Sequence, residues 1–289
     1  MEFRTKVKIE RPTWQIEPCE RMLFVGSCFA DNIGRRFAEE QFHTTINPFG
    51  VMYNPASMWH TISRWANAQS HPLDNARLCQ CGNFQPPRIA VLTLGTNRIY
   101  RLKATGEIVD NCEKRPQSLF QEEELGIDDC FSYLSQSVEQ LLALHPSTKV
   151  VVTVSPIRYA KYGFHGSALS KAVLLLAADR LTKAYPDTVA YFPAYEIVND
   201  ELRDYRFYKA DMLHPSEQAV EYIWQLFSDA FFSNAAKRFL QEWHPLKQAL
   251  HHQPFHPDSE EYRNFMDKTM LKVRELSKKY PNFPGISLP

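Results

Sequence analysis

The sequence predicts an α/β fold, a mostly parallel sheet covered by helices on both faces to give a three-layer α/β/α sandwich. Three observations predict it. Four short apolar runs, at 21–26, 89–95, 150–154 and 189–193, read as buried strands. Strands covered on both faces are continuous hydrophobic stretches rather than alternating ones. Segments with helical periodicity lie between the runs, and that alternation is the mark of βαβ units and a parallel sheet.

Taken in order, the run 21–26 leads through Gly26 into a helix expected over 31–40, and a shorter strand is expected at 44–47. A helix follows over 55–68. The polar stretch of about 70–88 holds Cys79, Cys81 and the pair Pro86-Pro87, and reads as an inserted loop. After the second buried strand, a helix is expected over 120–144. The third strand leads into a helix over 167–185. The fourth leads into one over 215–232, opened by Pro215, a favoured first-turn residue. Residues 1–232 therefore read as one α/β domain. Residues 233–289 read as a helical extension with one helix, at about 258–279, whose apolar positions include Tyr262, Phe265, Met266, Met270 and Val273. That helix is expected to pack on the main domain. A lid, or an arm that builds a homodimer, is the other reading.

Composition narrows the function classes. The 289 residues are 44% hydrophobic, enough for a sizeable core, and 33 basic residues balance 33 acidic ones. Nothing in that balance points to nucleic acid or an anionic membrane. No uncharged apolar run is long enough for a membrane span. The N-terminal stretch, MEFRTKVKIERPTW, lacks the apolar core of an export signal, so a cytoplasmic location is the default. Cys79-Gln-Cys81 lacks a second pair, and His244, His251, His252 and His256 have no partner at ligand spacing. No metal site and no cofactor are expected.

Four stretches carry chemistry. In Phe24-Val25-Gly26-Ser27-Cys28-Phe29, an apolar strand meets a glycine and then two residues able to act as nucleophiles, just before a helix. Free N–H groups and the positive end of the helix dipole favour a thiolate or an oxyanion at that point. A turn with Ser27 merely capping the helix is the plain alternative. In Asp211-Met212-Leu213-His214, a carboxylate three residues before a histidine can hold its tautomer and stabilise its protonated form. In Leu94-Gly95-Thr96-Asn97, the Gly95 N–H and the Asn97 amide could face an oxyanion. In Asn47-Pro48-Phe49-Gly50, Gly50 could offer another N–H.

The order of these pieces resembles the SGNH (GDSL) hydrolase superfamily. More closely, Gly26-Ser27-Cys28-Phe29-Ala30 resembles the signature of the GSCFA family. So do Asn47-Pro48-Phe49-Gly50-Val51, Leu94-Gly95-Thr96, Ser155-Pro156-Ile157-Arg158, Ser170-Lys171 and the stretch from Tyr195-Glu196 to His214-Pro215. The resemblance runs over roughly residues 20–232. It implies a flavodoxin-like sandwich and ester or acyl chemistry, and leaves the substrate open. Superfamily members read Gly-Asp-Ser, with serine second after the glycine. That frame puts Cys28 at the nucleophile position and Ser27 at the Asp position. Sliding the frame by one makes Ser27 the nucleophile and loses the glycine match.

The site so expected has Cys28 or Ser27 as nucleophile, His214 as base and Asp211 as its orienter. Gly50, Gly95 and Asn97 form the oxyanion hole. Asn47, Arg158, Lys171 and Arg206 contact the substrate. Arginine at 206 would suit a carboxylate- or phosphate-bearing substrate; a salt-bridged helix is the alternative. The expected activity is cleavage of a small-molecule or glycan ester. Acyl transfer on the same scaffold and a non-catalytic binding module are the rival readings.

Overall fold

A computed structural model describes residues 4–70, 85–112 and 115–284. Most of the expected loop at 70–88, with Cys79 and Cys81, lies outside them.

The main sheet has five parallel strands: β1 (Arg21–Gly26), β2 (His43–Ile46), β3 (Ile89–Leu94), β7 (Lys149–Val154) and β8 (Val189–Tyr191). Their spatial order is β2-β1-β3-β7-β8. Numbered along the chain within this sheet, that is 2-1-3-4-5, the flavodoxin-like doubly wound order. The order reverses between β1 and β3, so ligands are expected at the carboxyl ends of those two strands.

Alternation along each strand feeds two cores. Met22 and Phe24 face the layer of α1 (Cys28–Glu39) and α6 (Glu217–Phe231), with Ile33, Phe37, Ile223, Trp224 and Phe227. Leu23 and Val25 face α2 (Pro55–Ser70), α3 (Ile127–Leu144) and α4 (Gly163–Ala184), with Met58, Leu134, Val138 and Leu174. Side chains on a strand point to opposite faces at a period of two, so one apolar run can serve both layers.

Three expectations need correcting. The helix expected over 120–144 begins only at Ile127; Phe120–Glu124 is a strand, β6, in a separate antiparallel sheet with β4 (Arg98–Leu102) and β5 (Ile108–Val109). Glu122, Glu123 and Glu124 favour helix in isolation, but here they meet basic partners across the strand pair. Arg101 binds Glu123 at 2.8 Å, and Arg98 reaches both Glu122 and Glu124. Pro215 does not open α6: Ser216 caps it, with its Oγ accepting from the Ala219 N–H at 3.3 Å. The C-terminal extension holds two helices, α7 (Asn234–Leu250) and α8 (Glu260–Lys279). Pro245 reads as a breaker, yet Ala236, Phe239, Trp243 and Leu246 form one buried stripe around it.

These two helices pack with Cys19 and Phe283 in a third apolar cluster. Trp243 Nε1 donates to the Glu39 carbonyl at 3.2 Å, and Lys247 binds Glu40 at 3.0 Å. The extension therefore sits at the C-terminal end of α1. Cys28 is at the other end of that helix, about 17 Å away at 1.5 Å per residue. Among the described residues no helix is long and apolar enough to cross a membrane.

Candidate active site

The turn after β1 is built around Gly26. Its φ of +147° and a Cβ position only 2.3 Å from the Thr93 carbonyl oxygen leave room for glycine alone. The Gly26 N–H donates to Asn47 Oδ1 at 2.9 Å, and Asn47 Nδ2 donates to Asp31 Oδ1 at 2.6 Å. Asn47, expected to touch substrate, is instead a buried staple between the turn and the first coil of α1.

The chain then separates the two candidate nucleophiles. Ser27 is 0% exposed; its N–H donates to Thr93, and its Oγ accepts from the Phe29 N–H at 3.3 Å while sharing a hydrogen with Thr93 Oγ1 at 3.2 Å. It is the N-cap of α1. Cys28 is the first residue of that helix and is only partly buried, with Sγ 3.5 Å from the Tyr53 hydroxyl. Its own N–H belongs to the first turn, where helices leave donors without an intrahelical acceptor.

The second half of the site is a tight loop after β8. Asp211 Oδ1 accepts from the N–H groups of Leu213 and His214 at 2.9 and 3.0 Å, and Oδ2 lies 2.6 Å from His214 Nδ1. These hydrogen bonds, the backbone ones first, hold the Asp211 carboxyl down at about 2. The carboxylate fixes the ring through Nδ1, and the other ring nitrogen, Nε2, is not engaged by Asp211. The loop is tied down by Lys209 N–H to the His214 carbonyl at 2.7 Å and Ser216 N–H to the Phe207 carbonyl at 2.7 Å. Arg158 also serves it. Its N–H donates to the Leu213 carbonyl and its guanidinium to the Met212 carbonyl, each at 3.2 Å. The expected substrate contact at Arg158 is thus a brace for the histidine loop. No hydrogen bond joins His214 to Cys28 among the described residues; such bonds commonly close only around substrate.

The three expected oxyanion donors are all engaged elsewhere. The Gly50 N–H closes a turn onto the Asn47 carbonyl at 2.8 Å. The Gly95 N–H donates to the Tyr53 carbonyl at 2.9 Å. Asn97 is buried, and its amide donates to the Leu125 carbonyl at 2.8 Å, closing the end of the β4–β6 pair. Lys171 is no surface ligand either. It is buried, and its Nζ donates to the carbonyls of Gly95 and Ser155, each at 2.7 Å. Burial pulls its pKa down to about 7. Arg206 stays in solvent, where it pairs with Asp204 at 3.5 Å.

A cleft of about 380 Å³ that the sequence did not announce has Tyr53, the neighbour of Cys28 Sγ, in its wall. Tyr53, Tyr100, Tyr159 and Tyr162 wall it, with Arg98 and Asp110 among its polar groups. It lies between the carboxyl edge of the main sheet and the small antiparallel sheet, so unrecognised strands hid it. A roomier groove of about 630 Å³ runs between α7 and α8, at the far end of α1 from Cys28.

The GSCFA family model matches residues 21–83 and 75–227, and a model for the C-terminal domain of GSCFA domain proteins matches 243–285. No curated protein matches. Similar solved structures include a protein from Lactobacillus plantarum, with a TM-score of 0.45 and 13% identity over 75% of this chain and 100% of that one. A catalytic mutant of an acetylxylan esterase from Geobacillus stearothermophilus has a TM-score of 0.44 and 10% identity over 76% of this chain and 97% of that one. A carbohydrate esterase of family 3 from Talaromyces cellulolyticus has a TM-score of 0.38 and 11% identity over 77% of this chain and 97% of that one. One family model thus runs from the start of β1 into α6, and the chain belongs to the GSCFA family.

Proposed function

We propose that this protein cleaves an acyl ester by thiol catalysis, with Cys28 as nucleophile, His214 as base and Asp211 as the group that orients it. The observation that carries the reading is the contrast at the turn: Ser27 is sealed in as a helix cap while Cys28 stands at the first position of α1. A thiol there gains from the helix dipole and from unspent backbone N–H groups. The 2.6 Å bond between Asp211 and His214 supports the base assignment.

His214 Nε2 takes the thiol proton as Sγ attacks the acyl carbonyl, whose π pair moves onto oxygen. The Cys28 N–H faces that developing charge. Collapse of the adduct breaks the bond to the alcohol oxygen, which leaves with the proton from His214. Water, deprotonated by His214, then attacks the thioester; the C–S bond breaks, the acid leaves, and the Cys28 sulfur takes the proton back from His214. The tyrosine-walled cleft is the natural place for the alcohol, and its aromatic faces and polar rim suit a glycan.

A thioester also passes its acyl group readily to acceptors other than water. That gives transfer a specific footing at this cysteine, and added alcohol that raises turnover while suppressing hydrolysis would identify it. For hydrolysis itself, initial rates on p-nitrophenyl acetate are the test. Cys28→Ala and His214→Ala are each expected to lose about 10²-fold or more. Wild-type rates in both variants would remove the reading.

A further inference from the structure

Attack on a carbonyl at Cys28 creates an oxyanion close to Sγ, and acyl-transfer sites commonly meet it with a set of preorganised donors. The Gly50 and Gly95 N–H groups and the Asn97 amide are committed to Asn47, Tyr53 and Leu125. One donor does face the sulfur. The Tyr53 hydroxyl lies 3.5 Å from Cys28 Sγ and has no other hydrogen-bond partner among the described residues.

Tyr53 is well held for the purpose. Its carbonyl accepts from the N–H groups of both Gly95 and Thr96, at 2.9 and 2.8 Å, which pins its backbone to the end of β3. Its ring stands edge-on to Tyr159 with centroids 6.0 Å apart. At 38% exposure it forms part of the wall of the cleft.

We infer that Tyr53 is a catalytic residue, its hydroxyl donating to the oxyanion formed on Cys28 and so standing in for the glycine and asparagine donors that this fold has turned to structural use. The inference rests on the acyl-transfer reading of Cys28. In the step concerned, the S–C bond forms, the carbonyl π pair becomes the oxyanion and the thiol proton goes to His214. The Tyr53 proton stays on its own oxygen and only strengthens its hydrogen bond as charge grows. Burial, with Cys28 and Asp31 nearby, raises the Tyr53 pKa, so the phenol remains a donor.

Two reagents on one sulfur separate this role from mere thiol activation. Acetylation by p-nitrophenyl acetate passes through an oxyanion, whereas alkylation by iodoacetamide does not. Both rates are read at the Cys28 peptide by mass spectrometry, in the wild type and in Tyr53→Phe. That variant keeps the ring and the backbone clamp, and its thermal midpoint serves as the folding control. The ratio of acetylation to alkylation is expected to fall about 10²-fold in Tyr53→Phe. An unchanged ratio overturns the role of Tyr53 and leaves the thiol mechanism standing. A wild type that iodoacetamide labels at Cys28 but p-nitrophenyl acetate does not overturns the acyl-transfer reading, and this inference with it.

Discussion

At the scale of single residues, Asp211 holds His214 by a 2.6 Å hydrogen bond, and Gly26 turns Ser27 inward onto Thr93. The pair Asp211 and His214 could be read because three residues across one loop is within reach of a single hydrogen bond, and it is formed at 2.6 Å. The two nucleophile frames could not be separated by spacing. What distinguishes them is the orientation imposed by Gly26, which turns Ser27 toward Thr93. Tyr53 was invisible, since nothing local says that a phenol will meet a thiol 25 residues away. Lys171 illustrates the opposite error: a lysine after a loop suggests a substrate contact, yet it holds the ends of β3 and β7 together from within. Its behaviour with pH is predictable. Its native pKa, near 7, lies below the ordinary 10.5. Between these values the unfolded chain keeps the proton and the native one releases it, so Lys171 makes stability rise with pH across that window. Urea midpoints of wild type and Lys171→Met, compared at both ends of the window, should show the extra rise only in the wild type. The variant also leaves two buried carbonyls without a donor, at about 1–3 kcal/mol each.

Elements were legible where their pattern was internal to one segment. The four buried strands and the periodic helices stand out because each carries its own hydrophobic run. The small sheet did not, since β6 is a glutamate-rich strand made stable by arginines on β4. The π-helix at Ile197–Leu202 and the early start of α4 at Gly163 are likewise set by their surroundings. Helix α1 is fixed by aromatic packing. Its Phe37 is ringed by Phe24, Phe42, Trp224, Phe227 and Phe232 at centroid distances of 4.7–5.6 Å. Phe37→Ala should cost about 3–5 kcal/mol of stability by chemical denaturation. Since α1 carries Cys28 at its start, loosened packing of the helix should also appear as faster alkylation of that thiol.

For the whole molecule, the fold puts the proposed nucleophile and the bracing extension at opposite ends of one helix. Cys28 follows the carboxyl end of β1, and the Asp211–His214 loop is bonded to Arg158 beyond the carboxyl end of β7, the edge at which a doubly wound sheet binds ligands. The other end of α1 is clasped by α7 and α8 through Trp243 and Lys247. The sequence left open whether the extension covers the cleft; its contacts place it away from the cleft. Trp243→Ala should lower stability by about 3–5 kcal/mol. Its kcat/KM, measured well below the melting midpoint, should match that of the wild type.

The most direct test of the account is to trap the acyl-enzyme with p-nitrophenyl acetate, quench in acid and map the acetyl group by peptide sequencing. A thiol site places it on Cys28, abolishes it in Cys28→Ala, slows its formation in His214→Ala and retains it in Ser27→Ala. Acetyl on Ser27, or labelling that survives Cys28→Ala unchanged, would contradict the account.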